Sequence, residues 1–467
     1  MERRGDMIET MYADVVVLGA GGGGYPAAFR LAREGRTVVM VDPFGNLGGD
    51  CLAEGCVPSK AVREAALARA GAGKFRLFGL KGAMPEVDWP GVLAHKDRVQ
   101  SIRYAQHRDE IAASTIRMYK GMGRIVDGHA VDIATDRGDL LRVQALHLIV
   151  ATGSRPRRLA VPGAELAITS HDLFRLGADL PAPRRLVAIG GGYIGLETAS
   201  MLQRFGAQAT VLEATPAILP GAPPRLARTL HAALARRLHL VTDAKVVGIE
   251  RGADGDLRVR YDRDGAPQSV VADCVLMATG REPVLPDGFD ALGLPPGRIT
   301  VDDRLRTALP HVYAPGDVNG RSMLFHSAVR QSLVAAEDIL AGGNGSGRMN
   351  FDAVPFTVFT EPEVAWVGLT EDAAARQGID AVAATYDYET DSRAQIFDEM
   401  EGFLTLVFAR RTGILIGAQI AGLDAAQVIA PLALAVQTRT TAVALAETPF
   451  PHPMISEGIG KAARTVA

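Results

Sequence analysis

Apolar runs dense in β-branched residues alternate along the chain with stretches of helical spacing, and one arrangement of them occurs twice. Residues 13–24 read ADVVVLGAGGGG, an apolar strand running into Gly19, Gly21 and Gly24. YPAAFRLAREG follows with apolar positions at helical spacing, and a second strand, TVVMVD, ends at Asp42. Glycines there permit a tight turn and let backbone N–H groups approach a pyrophosphate at the helix N-terminus. The acid that ends the second strand can accept hydrogen bonds from a ribose. Pro26 falls in the helix's first turn, where its missing N–H costs little. RLVAIGGGYIGLETASMLQRFGAQATVLE repeats the pattern with Gly190, Gly192, Gly195 and Glu213. First glycine and acid lie 23 residues apart in both copies, and each copy closes on a like strand and turn, LIVATGSRP at 148–156 and VLMATGREP at 275–283. One glycine fingerprint alone is a weak signal. Two in matching register predict two dinucleotide-binding units.

The second unit's acid, Glu213, leads into ATPAILPG, which holds no basic residue. A 2′-phosphate wants an arginine there and is repelled by a carboxylate, so the second site is expected to take NAD rather than NADP. The residues alone do not say which dinucleotide belongs in the first.

A chain of 467 residues has room for about three domains. Its net charge of −3 and mixed composition give no reason to expect nucleic acid or an anionic membrane as partner. No uninterrupted apolar run approaches the roughly 18 residues of a membrane helix. The N-terminal MERRGDMIETMY mixes acids with bases and has neither a signal peptide's apolar core nor a transit peptide's shortage of acids. A cytoplasmic protein is the expectation.

Two of only three cysteines sit in GGDCLAEGCVPSK, residues 48–60. Zinc, a structural disulfide or a redox-active disulfide would each explain such a pair. A closed zinc site wants four Cys or His ligands, usually as two close pairs, and no second pair offers itself. Cys274, in the apolar VADCVLMATG, reads as packing. So few cysteines in so long a chain argue against a secreted disulfide framework. In a reducing compartment a disulfide is usually transient and catalytic, which raises the redox-active reading above the structural one.

Taken in order, the first glycine fingerprint, GGDCLAEGCVPSK, GGGYIGLE, ATGREP, VYAPGDV, TEPEVAWVGLTE and HPMISE resemble the pyridine nucleotide–disulfide oxidoreductases, most closely the dihydrolipoamide dehydrogenases. The resemblance spans nearly the whole chain. It implies an α/β fold with two Rossmann-like dinucleotide-binding domains, for FAD and NAD, and a C-terminal α+β dimerisation domain. The expected divisions are 1–155 and 283–349 for the two parts of the FAD domain, 156–282 for the NAD domain and 350–467 for the interface domain.

The same resemblance implies the site. Cys51 and Cys56 would form a disulfide against the flavin, Cys51 exchanging with substrate and Cys56 facing the flavin. VPSKAVREAALARA reads as a helix with Pro58 in its first turn, so Cys56 lies at a helix N-terminus whose dipole favours a thiolate. Lys60 would sit by the flavin, paired with Glu197. His452, oriented by Glu457, would act as base across a homodimer interface, as suits an imidazole that titrates near neutral pH. Flavin contacts are expected from Gly19, Gly21, Gly24, Asp42, Gly49, Lys60, Gly128, Gly153, Asp317 and Phe325. NAD contacts are expected from Gly190, Gly192, Gly195, Glu197, Glu213 and Gly280.

The implied activity is oxidation of dihydrolipoyl groups on a separate carrier protein, with electrons passing through the disulfide and FAD to NAD⁺. That carrier would belong to a 2-oxoacid dehydrogenase, to a glycine cleavage system, or to some other pathway. The alternative within the family is a reductase of another disulfide or of a metal ion. KAARTVA lacks the C-terminal cysteine pair of a mercuric reductase, and Glu213 speaks against a glutathione reductase. A non-catalytic scaffold should have lost Cys51, Cys56 or His452, and all three are present. Four positions depart from the family pattern. Asp50 and Glu54 add carboxylates beside the cysteines and should disfavour thiolates. Phe325 replaces a small residue, and Phe450 replaces a histidine.

Overall fold

The computed structural model describes residues 9–467; most of the N-terminal stretch considered above lies outside them. The first sheet is built round the strand Glu9–Leu18, which pairs in parallel with Val38–Asp42 and with Leu140–Val150. Parallel strands covered on both faces need continuous apolar sequence. Val15 to Leu18 and all of Val38–Asp42 are buried accordingly. Arg117–Asp127 continues the sheet beside Val38–Asp42, and Ala130–Thr135 closes back antiparallel to Leu140–Val150.

The chain then leaves this sheet and later returns to it. Ser154–Pro156 on the way out pairs antiparallel with Arg281–Pro283 on the way back, and Val312–Tyr313 rejoins the first sheet beside Leu140–Val150. The helix Phe325–Leu340 of the returning segment packs on the helix Tyr25–Arg33, where Ser332 Oγ accepts from the N–H of Ala27 at 2.9 Å.

Between the two crossings lies a second parallel sheet. Its strands run in the order Cys274–Met277, Arg185–Ile189, Gln208–Leu212, His239–Val241, with a three-stranded antiparallel sheet of residues 245–272 beside it. The matching sequence units thus become matching strand–turn–helix–strand units. Residues 356–421 form a five-stranded antiparallel sheet, whose buried Leu404, Leu406 and Phe408 share a core with Val428 and Leu432 of the covering helix Ala425–Gln437. Among the described residues no helix is long and apolar enough to cross a membrane.

Candidate active site

Both glycine turns are made by the same contacts. Gly19 and Gly190 have φ of +99° and +109°, a region L side chains avoid, and a Cβ on either would lie 2.3 Å from a carbonyl of the neighbouring strand, Ala151 or Ala278. Gly24, just before one following helix, and Gly195, in the first turn of the other, lie so close to the turn that a Cβ would meet the carbonyl oxygen of Gly19 or Gly190 at 2.0 Å. The acids repeat too. Asp42 accepts from the N–H groups of Ala20 (2.9 Å) and Phe44 (2.8 Å), and Glu213 from those of Gly191 (2.7 Å) and Thr215 (2.8 Å). Each carboxylate therefore clamps its own glycine loop and keeps lone pairs for a ribose. Burial raises Asp42 above the ordinary carboxylate value, against the pull of its backbone donors.

A cleft of about 500 Å³ runs past the first turn, and most of the expected flavin residues line it. Gly19, Gly21, Asp42, Gly49, Lys60, Gly153, Asp317 and Phe325 all border this space, together with Cys51, Cys56 and Glu197. Gly24 lies just behind, under the turn. Asp317, held by the hydroxyl of Ser154 at 2.6 Å, is raised by burial. The Phe325 ring fits because residue 22 is glycine: a Cβ there would stand 3.0 Å from it. Residues of this kind, glycine backbone over one helix N-terminus with a buried acid beside it, suit a dinucleotide such as FAD.

Gly128 is the correction. It sits in the turn after Arg117–Asp127, where a Cβ would meet His311 at 2.8 Å, and it does not line the cleft. The cleft-lining glycines of that region are Gly121 and Gly123, within the strand. Met122 between them lines it as well, so this stretch of strand runs along the cleft, and a glycine in the turn beyond the strand's end lies clear of it. Gly190, Gly192, Glu213 and Gly280 also lie off this cleft, at the second turn, with Gly192 preceding the helix Tyr193–Arg204.

Cys51 belongs to the short helix Gly49–Ala53, and Cys56 is the first residue of the helix Cys56–Ala72. Both are free thiols, each acting on the ionisation of the other. That coupling makes the pair unequal. It pushes Cys51 well up, aided by desolvation, and pulls the more exposed Cys56 down, with Lys60 adding to the pull. Of the two thiols, Cys56 is the more readily ionised. Lys60 Nζ lies 2.7 Å from Glu197 Oε2, and the other oxygen of Glu197 accepts from the N–H of Phe359 at 2.9 Å. Burial pushes Cys274 up to about 11, as expected of an inert packed thiol.

The structure does not bring His452 to the cysteines of its own chain. It is 70 % exposed in the C-terminal region, away from the cleft, with Nδ1 2.9 Å from Glu457. Glu457 stays below its ordinary value because the Met454 N–H and the His452 ring outweigh its desolvation. Phe450 packs inward toward Gly460, 3.3 Å from where a Cβ would stand.

Sequence reasoning passed over two residues of the cleft, Arg281 and His171. Arg281 donates to Asp50 and to the carbonyl of Ser154 (2.9 Å). His171 has Nε2 2.8 Å from Asp50 and Nδ1 2.7 Å from Glu54. The signal was present in the two unusual carboxylates, which demand countercharge once buried. These three residues bring ligand-type atoms within 4.8 Å of one another, but the two carboxylates take opposite nitrogens of one ring. A cation can use only one of them, so the arrangement is an ion triplet rather than a metal cage.

Comparison with known proteins agrees with this geometry. Residues 13–332 match the pyridine nucleotide-disulphide oxidoreductase model, and residues 354–463 match its dimerisation domain. The chain belongs to this family. It is 32% identical to the mitochondrial dihydrolipoyl dehydrogenase of Dictyostelium discoideum, over 97% of this chain and 94% of that protein. It is 34% identical to the dihydrolipoyl dehydrogenase of Geobacillus stearothermophilus, over 95% and 94%. Among solved structures, LpdA from Mycobacterium tuberculosis superposes with a TM-score of 0.88 at 27% identity, over 98% of this chain and 100% of that one. As a member of the family the protein is an oxidoreductase of α/β fold with a dimerisation domain.

Proposed function

We propose that this oxidoreductase is an NAD-linked dihydrolipoyl dehydrogenase that acts as a homodimer on lipoyl groups carried by a separate protein. The observation that carries the reading is the unequal Cys51–Cys56 pair on the cleft, beside the Lys60–Glu197 ion pair. In thiol–disulfide exchange the sulfur of lower pKa is the better leaving group. A substrate thiolate therefore attacks Cys51, and Cys56 departs as the thiolate. The second substrate thiol then closes the lipoyl ring on its own partner sulfur and releases Cys51 as a thiol. Of the two substrate protons one ends on Cys51; the other needs an acceptor, and the partner subunit's His452 supplies it, its ring held by a carboxylate in the manner of a positioned general base. FAD, when bound in the cleft, supplies a two-electron relay between the dithiol and NAD⁺.

The test is steady-state reduction of NAD⁺ with free dihydrolipoamide and with a panel of lipoylated carrier proteins. Turnover with dihydrolipoamide, raised strongly by one carrier, is the expected result. Failure with all of them, alongside NADH-driven reduction of some other disulfide, would move the protein to the other branch of its family.

A further inference from the structure

The Asp50–His171–Glu54 triplet lies in the wall of the cleft that holds the cysteines. Asp50 directly precedes Cys51 and Glu54 stands two positions before Cys56, so both carboxylates are carried by the cysteine loop. The histidine comes from far along the chain, on the helix Ser170–Phe174. A buried strut holds the two segments in register. Lys96, fully buried, donates to the carbonyl of Arg175 at 2.8 Å and to Gln100 Oε1 at 3.1 Å. Gln100 in turn donates to the carbonyls of Leu52 (3.0 Å) and Ala53 (2.7 Å), between the two carboxylates. Each end of the His171 contact is thereby tied to the same helix, Trp89–Ala112.

We propose that His171 is a positioning residue of the Cys51–Cys56 pair, a built-in countercharge that offsets Asp50 and Glu54 and so keeps Cys56 ionised. The proposal rests on the reading of Cys51 and Cys56 as the reacting pair. The Asp50 charge acts on both thiols and opposes ionisation of each. Arg281 and His171 both contact Asp50, and the His171 ring also reaches Glu54. Burial works against a charged ring, but the hydrogen bonds to Asp50 and Glu54 prevail and push His171 up to about 9. Other charged groups surround the triplet. Arg281 Nη1 lies 3.4 Å from His171 Nε2. Asp317 and Tyr104 interact with the carboxylates of the triplet. Asp172 is turned to Thr169, and Lys96 is paired with Asp97. None of these replaces His171 between Asp50 and Glu54.

The pH dependence has a definite sign. With its folded value raised, the ring's contribution is complete below about pH 6.5, its ordinary value, and is lost as pH rises through about 9. Above that, Asp50 keeps only the Arg281 guanidinium and Glu54 loses the charge of its partner ring.

The experiment follows alkylation of the reduced holoprotein by iodoacetamide against pH, with Cys51 and Cys56 resolved by mass spectrometry. In His171→Gln the pH at which Cys56 becomes reactive should rise by about one unit, a tenfold loss of thiolate at a given pH. His171→Arg, which keeps the charge, should hold the wild-type midpoint and lose any inflection near pH 9. The triple change Asp50→Asn, Glu54→Gln, His171→Gln should return the midpoint toward wild type, and it covers the case in which the single variant fails to fold. A Cys56 profile unmoved in His171→Gln, with only thermal stability reduced, would overturn the proposal, as would a triple variant no different from the single. The readout needs no turnover. A wild-type protein that ignores dihydrolipoamide yet shows these shifts would defeat the proposed substrate and leave the role of His171 standing.

Discussion

Cys51 and Cys56 are chemically identical side chains made unequal by what each one touches. Cys56 opens a helix, and its neighbours Cys51 and Lys60 pull its thiol down, whereas Cys56 and burial push the Cys51 thiol up. The reduced protein should therefore show a long-wavelength absorbance from the Cys56 thiolate against the flavin. Cys56→Ser should abolish that band, and Cys51→Ser should leave it permanently present. Spectra of the two variants that showed the opposite pattern would reverse the roles. The sequence carried this asymmetry openly, since a helix N-terminus can be read from local spacing. His171 was hidden for the converse reason. It meets Asp50 across 121 positions of chain, in a contact that depends on Lys96 and Gln100 being buried where they are. No periodicity announces a meeting of that kind.

At the scale of elements, the two glycine turns carry the same backbone constraints and so invite a paired test. Gly195→Ala places a methyl 2.0 Å from the Gly190 carbonyl oxygen, a backbone atom that cannot give way cheaply, and should weaken NAD binding by tenfold or more while leaving flavin content intact. Gly24→Ala makes the same clash with Gly19 and should instead cost the flavin. Coenzyme KM and flavin absorbance measured on both proteins separate the outcomes; loss of flavin from Gly195→Ala would contradict the assignment of the second turn. Glu213 adds a specificity prediction. Its carboxylate is buried on its own loop and would repel a 2′-phosphate, so kcat/KM should favour NAD over NADP by at least about a hundredfold. The repeat could be read from sequence because glycine spacing reports backbone geometry directly. Gly128 misled because a turn glycine and a cleft glycine look alike until the strand's register is known. Gly121 and Gly123 border the cleft, with Met122 between them, because that stretch of the strand runs along it.

The whole molecule is where the proton acceptor must be found. His452 and Glu457, the proposed base and its orienter, lie 2.9 Å apart, with the His452 ring exposed and apart from the cysteines of its own chain, in the region that matches the dimerisation domain. An imidazole placed there can serve a dithiol only if another chain presents its cleft to it. His452→Gln should leave folding and flavin content intact and slow dithiol oxidation by about a hundredfold or more, the scale of losing a positioned base. Glu457→Gln should cost less, because that side chain orients the ring without touching substrate. A mixed dimer of one Cys51→Ser chain and one His452→Gln chain then has one complete site, made of Cys51 from the second chain and His452 from the first. Its other site lacks both groups. Both parent homodimers should be nearly inactive, so the hybrid should recover about half of wild-type activity if the sites work independently. Hybrids verified by mass spectrometry that stay as inactive as their parents would place base and thiol on the same chain, and would require His452 to travel to its own cleft.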